Sequence, residues 1–209
     1  MNVFILSTGR SGSQTFARAC SHITNYTSAH ESRSGLLGDA HFDFPDNHIE
    51  SDNRLSWMLG RLDRRYGDRA FYVHLTRDVG QVAASWARRS YTGMMNAYRY
   101  AILWHCPKDA TPRAVALDYC DTVGENIRLF LRDKANWMDF RLEDGRERFP
   151  EFWRRIGAQG DLAAAVAEFA VRHNAAWDQR PAEPPVWLRR TASKFYRIGR
   201  KLPVFLRNA

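Results

Sequence analysis

The sequence predicts an α/β protein built on a mostly parallel sheet with helices on both faces. Three observations carry that prediction. Short apolar runs rich in strand-forming residues alternate with stretches of helical periodicity. The first run ends in a turn rich in glycine and serine. The clearest interior run, residues 70–76 (AFYVHLT), stops at Arg77 before another amphipathic stretch. In sheets of this kind ligands bind beyond the carboxyl ends of the strands, and each motif discussed below falls at such an end.

Residues 2–7 (NVFILS) read as a buried strand, followed by a tight loop and a helix over 14–21. Residues 23–28 (ITNYTS) are a weaker second strand leading to His30 and Glu31. Ile49, Leu55, Met58, Leu59 and Leu62 recur at helical spacing, which predicts a helix over 48–66. After the strand at 70–76, Asp78 suits an N-cap for a helix with Val79, Val82, Ala83 and Trp86 on one face. A long helix over 113–132, a last strand over 136–142 and helices near 149–156 and 161–177 complete the pattern. Pro181, Pro184 and Pro185 then separate one domain, residues 1–180, from a basic tail, residues 186–209.

A chain of 209 residues with 44% apolar and 13% aromatic side chains has enough material for one full core. Cys20, Cys106 and Cys120 are odd in number and far apart, a pattern of a reducing compartment rather than a disulfide or zinc scaffold. The first apolar run is too short for a signal-peptide core, and no run approaches the roughly 20 residues of a membrane span. A cytoplasmic location is expected. The net charge of +8 is local: seven cations and no acid lie in residues 186–209, leaving 24 Lys and Arg against 23 acids elsewhere. A near-neutral body does not suit a nucleic-acid-binding domain. On a helical wheel Leu188, Ala192, Phe195, Gly199 and Leu202 oppose Arg190, Lys194, Arg197 and Lys201. That pattern fits either an anionic membrane surface or packing on the domain.

Residues 7–15 (STGRSGSQT) have the composition of a phosphate loop. Gly9 and Gly12 let the backbone turn beneath an anion, and the following helix start offers N–H groups and its dipole. Thr8, Ser11, Ser13 and Thr15 add hydroxyls, Gln14 an amide, and Arg10 a forked cation suited to phosphate or sulfate. A nucleoside-triphosphatase loop would carry a lysine that this chain lacks. Eight residues separate Arg77, at a strand end, from Ser85, about two helical turns on. Read alone, that pair is a surface arginine and a helical serine.

Together the two motifs resemble the sulfotransferase family that uses 3′-phosphoadenosine-5′-phosphosulfate (PAPS) as donor. In that family the first strand runs into a 5′-phosphosulfate loop, matched here by residues 7–15 with Arg10 at the position of the usual lysine. Arginine occurs there in many bacterial and carbohydrate-type members. The 3′-phosphate site is an arginine ending a strand and a serine eight residues later, matching Arg77 and Ser85. Arg141, Glu143 and Asp144 match an R-x-E-D segment after a later strand. Where the family has two threonines after the loop glycine, this chain has Ser13 and Gln14, and no late glycine-rich stretch is evident.

The resemblance implies a P-loop-like fold, PAPS as donor, Thr8, Gly9, Arg10, Ser11, Gly12, Ser13, Gln14, Arg77 and Ser85 as donor-binding residues, and no metal. In carbohydrate-type members the base often follows the second strand, where this chain has Glu31 and His30; either is a candidate, with Glu31 favoured and Arg10 assisting the transfer. Burial beside an anion site raises a carboxyl's pKa toward neutrality, which suits a general base. A saccharide or glycolipid hydroxyl is the expected acceptor. Two rivals are a P-loop kinase, which needs the missing lysine and an Asp-terminated strand, and a non-enzymatic membrane- or nucleic-acid-binding module driven by the tail.

Overall fold

Five strands form one parallel sheet in the order β2-β3-β1-β4-β5. They are β1 (Val3–Leu6), β2 (Thr27–His30), β3 (His48–Ser51), β4 (Phe71–Thr76) and β5 (Trp137–Arg141). The computed structural model describes residues 1–91 and 93–171. Central strand β1 is wholly buried, as its unbroken apolar run requires of a strand covered on both sides. Alternation sends Phe4 and Leu6 into one core and Val3 and Ile5 into the other.

One face carries α1 (Ser13–Cys20), α6 (Gly145–Arg155) and α7 (Leu162–Ala167), packed through Phe16, Phe149, Phe152 and Ala165. The other carries α2 (Leu59–Tyr66), α3 (Val79–Ala87), α4 (Gly93–Ala97) and α5 (Pro112–Leu131), contributing Leu62, Val82, Met95 and Val115. Asp78 caps α3 as the sequence predicts, accepting from Gln81 N at 2.8 Å. Thr111 caps α5 with Pro112 in the first turn. Between α4 and α5 a π-helical turn, Tyr98–Ile102, is a feature without an advance signal in the sequence. Among the described residues no helix is long and apolar enough to cross a membrane.

The α/β prediction holds, and three element assignments change. Residues 23–26 do not belong to β2, because the loop after α6 takes their polar groups. Thr24 N and Oγ1 bond Gln159 O, Asn25 pairs with Gly157 O and Gln159 N, and Tyr26 Oη donates to Ile156 O. The expected helix over 48–66 divides into β3, a 3-10 turn at Asn53–Trp57 and α2. His48, Glu50 and Ser51 give β3 no apolar run, yet all are buried because each has a hydrogen-bond partner. The helix expected over 161–177 is α7 followed by a 3-10 turn at Glu168–Ala170; its remainder and the whole basic tail lie outside the described residues.

The connections set the site. From β1 the chain crosses by α1 to the edge strand β2, returns through β3 beside β1, then passes to β4 on β1's other side. The sense of travel reverses at β1, so a crevice opens at its carboxyl end.

Candidate active site

A cleft of about 540 Å³ occupies that crevice. Every strand sends residues to it from its carboxyl end: Gly9, Arg10, Gly12, Ser13 and Gln14 after β1, His30 and Glu31 at β2, Asn53 and Arg54 after β3, Arg77 after β4, and Leu142 after β5. Trp86, Arg89, Met94 and Phe169 close the sides. Four arginines (Arg10, Arg54, Arg77 and Arg89) face one acid, Glu31, in this lining.

The loop after β1 passes through the left-handed region three times, at Gly9 (φ 72°), Arg10 (φ 59°) and Gly12 (φ 91°). A Cβ on Gly9 would lie 2.9 Å from Trp86 Cζ2 and 3.0 Å from Asn53 Nδ2, so glycine serves both conformation and space there. Ser7 Oγ accepts from Gly9 N (3.1 Å) and Ser11 Oγ donates to Gly9 O (3.2 Å). Trp86 Nε1 and Tyr119 Oη both donate to Thr8 O, at 3.2 and 2.9 Å. Thr8 and Ser11, whose hydroxyls lie 3.1 Å apart, line a smaller cavity of about 160 Å³ behind the loop and are absent from the main cleft's lining. Helix α1 has Gly12 as N-cap and no side chain capping it. Its first-turn amides, which lack intrahelical acceptors, therefore suit an anion in the cleft.

The two sequence motifs meet directly. Arg10 Nε donates to Ser85 Oγ at 3.0 Å, a link that spacing within either motif does not reveal. Arg77 instead donates to Gln81 Oε1 at 2.6 Å. The segment after β5 braces this corner: Glu143 accepts from Asp78 N (2.9 Å) and from Arg141 Nε (3.2 Å). Partial burial works to raise the Glu143 pKa, but these donors outweigh it and hold the carboxyl below its usual range.

On the β2–β3 side Ser13 Oγ lies 3.0 Å from His30 Nε2, and Glu31 pairs with Arg54 Nη1 at 2.9 Å. The Glu31 side chain is one-third exposed, so it is not the buried carboxyl expected from its position in the sequence. Its backbone is left-handed, with φ 54°, a strained state for a residue with a side chain. Asp52 caps the turn at Asn53–Trp57 by accepting from Arg54 N at 2.8 Å. Burial raises the Asp52 pKa, against the opposing pull of Arg54.

Asn53, Arg54, Trp86, Arg89, Met94 and Phe169 line the cleft without having been candidates from sequence. Asn53 and Arg54 follow β3, so the misread strand concealed them. Had 48–51 been recognised as a strand, both would have stood at its carboxyl end. Among the described residues no group of three or more His, Cys, Asp or Glu side chains is placed to hold a metal ion.

No protein-family model matches this chain, and no curated protein does. A solved structure does: a sulfotransferase domain from the curacin biosynthetic pathway aligns over 93% of this chain and 96% of its own, at 17% identity and a TM-score of 0.52. The fold is therefore that of a sulfotransferase domain.

Proposed function

We propose that the protein transfers a sulfuryl group from PAPS to an acceptor hydroxyl. The supporting observation is the cleft itself: a left-handed loop, an uncapped helix start and four arginines converge where the sheet order reverses. In this reading Arg10 and the α1 amides hold the 5′-phosphosulfate, with Thr8, Gly9, Ser11, Gly12, Ser13 and Gln14 forming the loop. Arg77 and Ser85 take the 3′-phosphate. The acceptor oxygen forms a bond to sulfur while the bond from sulfur to the 5′-phosphate oxygen breaks, releasing adenosine 3′,5′-bisphosphate. Glu31, or His30 in its place, receives the acceptor's proton. Charge on the sulfuryl oxygens and the leaving phosphate is met by groups already in position, as in phosphoryl transfer.

The acceptor in this reading is a saccharide or glycolipid hydroxyl. The reaction is placed in the cytoplasm, with residues 186–209 resting on an anionic membrane surface. Flotation tests the last point: full-length protein binds anionic but not neutral vesicles, and deleting 186–209 abolishes this. A protein that stays soluble beside anionic vesicles overturns it.

Calorimetry tests the donor site. Adenosine 3′,5′-bisphosphate is expected to bind much more tightly than ATP. Arg77→Ala removes a charge-assisted contact of about 1.5–3 kcal/mol, roughly ten- to a hundredfold in affinity. Equal affinity for ATP, or an unaffected Arg77→Ala protein, refutes the assignment. ³⁵S-labelled PAPS with a saccharide and lipid panel identifies the acceptor. Glu31→Gln is expected to lower turnover about 10²–10⁴-fold at nearly unchanged bisphosphate affinity; normal turnover beside a dead His30→Ala protein makes His30 the base.

A further inference from the structure

We infer that Glu50 is a positioning residue for Glu31, acting through Ser32; the role rests on the sulfuryl-transfer reading above. Glu50 is fully buried in β3, where a lone carboxylate is costly. Its two oxygens have a definite occupation. Oε1 accepts from Ser32 N at 2.9 Å, and Oε2 accepts from Ser32 Oγ at 2.5 Å and from His48 Nε2 at 3.0 Å. The far nitrogen of that ring, Nδ1, lies 2.8 Å from Thr27 Oγ1 on β2. The chain of contacts therefore crosses from β2 through β3 to the turn that follows β2.

That turn holds the strained residue. Glu31 N donates to Ser51 O at 3.2 Å, and the next two donors, Ser32 N and Ser32 Oγ, both go to Glu50. Glu31 is thus gripped on both sides along the backbone while Arg54 holds its carboxylate. A left-handed backbone at a non-glycine residue persists only where its surroundings over-determine it. Glu50 supplies much of that determination. Burial acts to raise the Glu50 pKa, yet the His48 and Ser32 contacts hold it below the usual range, so it stays an acceptor for both Ser32 donors. Fold support alone would not require both bonds to converge on the residue adjoining Glu31.

Turnover of ³⁵S-labelled PAPS, counted as label leaving the donor for saccharide or water, tests the role beside calorimetry with adenosine 3′,5′-bisphosphate. Glu50→Gln is expected to lose about 10²-fold in turnover, the scale of a misplaced reacting group, with bisphosphate affinity within about twofold of wild type. Ser32→Ala loses turnover in the same way and Ser32→Thr restores most of it. Combining Glu50→Gln with Glu31→Gln costs little beyond Glu31→Gln alone, because both act on one group. Normal turnover in folded Glu50→Gln, or losses that multiply in the double variant, overturns the role. Should Glu50→Gln not fold, Ser32→Ala decides, and its normal turnover overturns the role equally. A wild-type protein that does not bind the bisphosphate overturns the donor assignment instead.

Discussion

The two faces of the sheet are both aromatic, but only one of them buries tyrosine and tryptophan beside its phenylalanines. Against α1 and α6 the core is phenylalanine: Phe16 meets Phe140, Phe149 and Phe152 at centroid distances of 4.9, 5.5 and 5.0 Å, mostly edge to face. Against α3 and α5 phenylalanines such as Phe4 are joined by Tyr72, Trp86, Tyr98 and Tyr119, and the polar tips of these four are bonded. Tyr72 Oη donates to Gly67 O, Tyr98 Oη to Asp118, and Tyr119 Oη with Trp86 Nε1 to Thr8 O. Phenylalanine has packing to offer. Tyrosine and tryptophan pack and also carry a handle. Through Trp86 and Tyr119 the second face therefore reaches through the core to fix the loop that lines the cleft, while the buried rings of the first supply cohesion.

The contrast breaks most sharply at Phe16, which is fully buried. Phe16→Ala is expected to lower stability by about 3–5 kcal/mol in denaturant melts, with bisphosphate affinity per folded molecule unchanged. A large affinity loss in protein that remains folded would show that both faces serve the site.

A smaller effect sharpens the comparison through pH. His74 lies on the tyrosine face beside Asp139 (3.1 Å), and burial lowers its pKa despite that carboxylate. The unfolded chain, with an ordinary value near about 6.5, then binds more protons than the folded one between the two pKa values. This contribution to stability is complete above about pH 6.5 and is lost as pH falls toward the folded pKa, with a slope of at most about 1.4 kcal/mol per pH unit. Melts of His74→Asn should lack that slope. An unaltered slope assigns the protons elsewhere.

The smallest expected effect is at Tyr119. Tyr119→Phe removes one of two donors to Thr8 O, costing about 1 kcal/mol in stability, yet weakening bisphosphate binding more than Phe16→Ala does. The reverse order would deny the tyrosine face its hold on the loop.

Much of this was legible in the sequence where chemistry is local. The loop at residues 7–15, the strand ending at Arg77 and the cap at Asp78 depend on neighbouring residues, and the fold class follows from their alternation. What stayed hidden depends on distant partners. His48–Ser51 looks too polar for an interior strand until Thr27 and Ser32 are seen to satisfy it. Arg10 and Ser85 are 75 positions apart, and nothing in the spacing of either motif shows that one would bond the other. Glu31 stands out by its place after a strand, but its partner Arg54 follows a strand whose periodicity reads as helix.

The position of β1 has a consequence for how the chain is made. This strand, wholly buried at the middle of the sheet, precedes both of its neighbours in synthesis. Its last residue, Leu6, is made 70 positions before β4 ends at Thr76, an interval of about 4–14 s at translation rates of about 5–20 residues per second. Within that interval α1 and then β3 become available to it, but the edge of VFIL that β4 will occupy stays unpaired. The most apolar strand of the sheet thus keeps one edge open until β4 is made, and a slowed ribosome between residues 52 and 76 lengthens the exposure of that edge to chaperones and to other nascent chains.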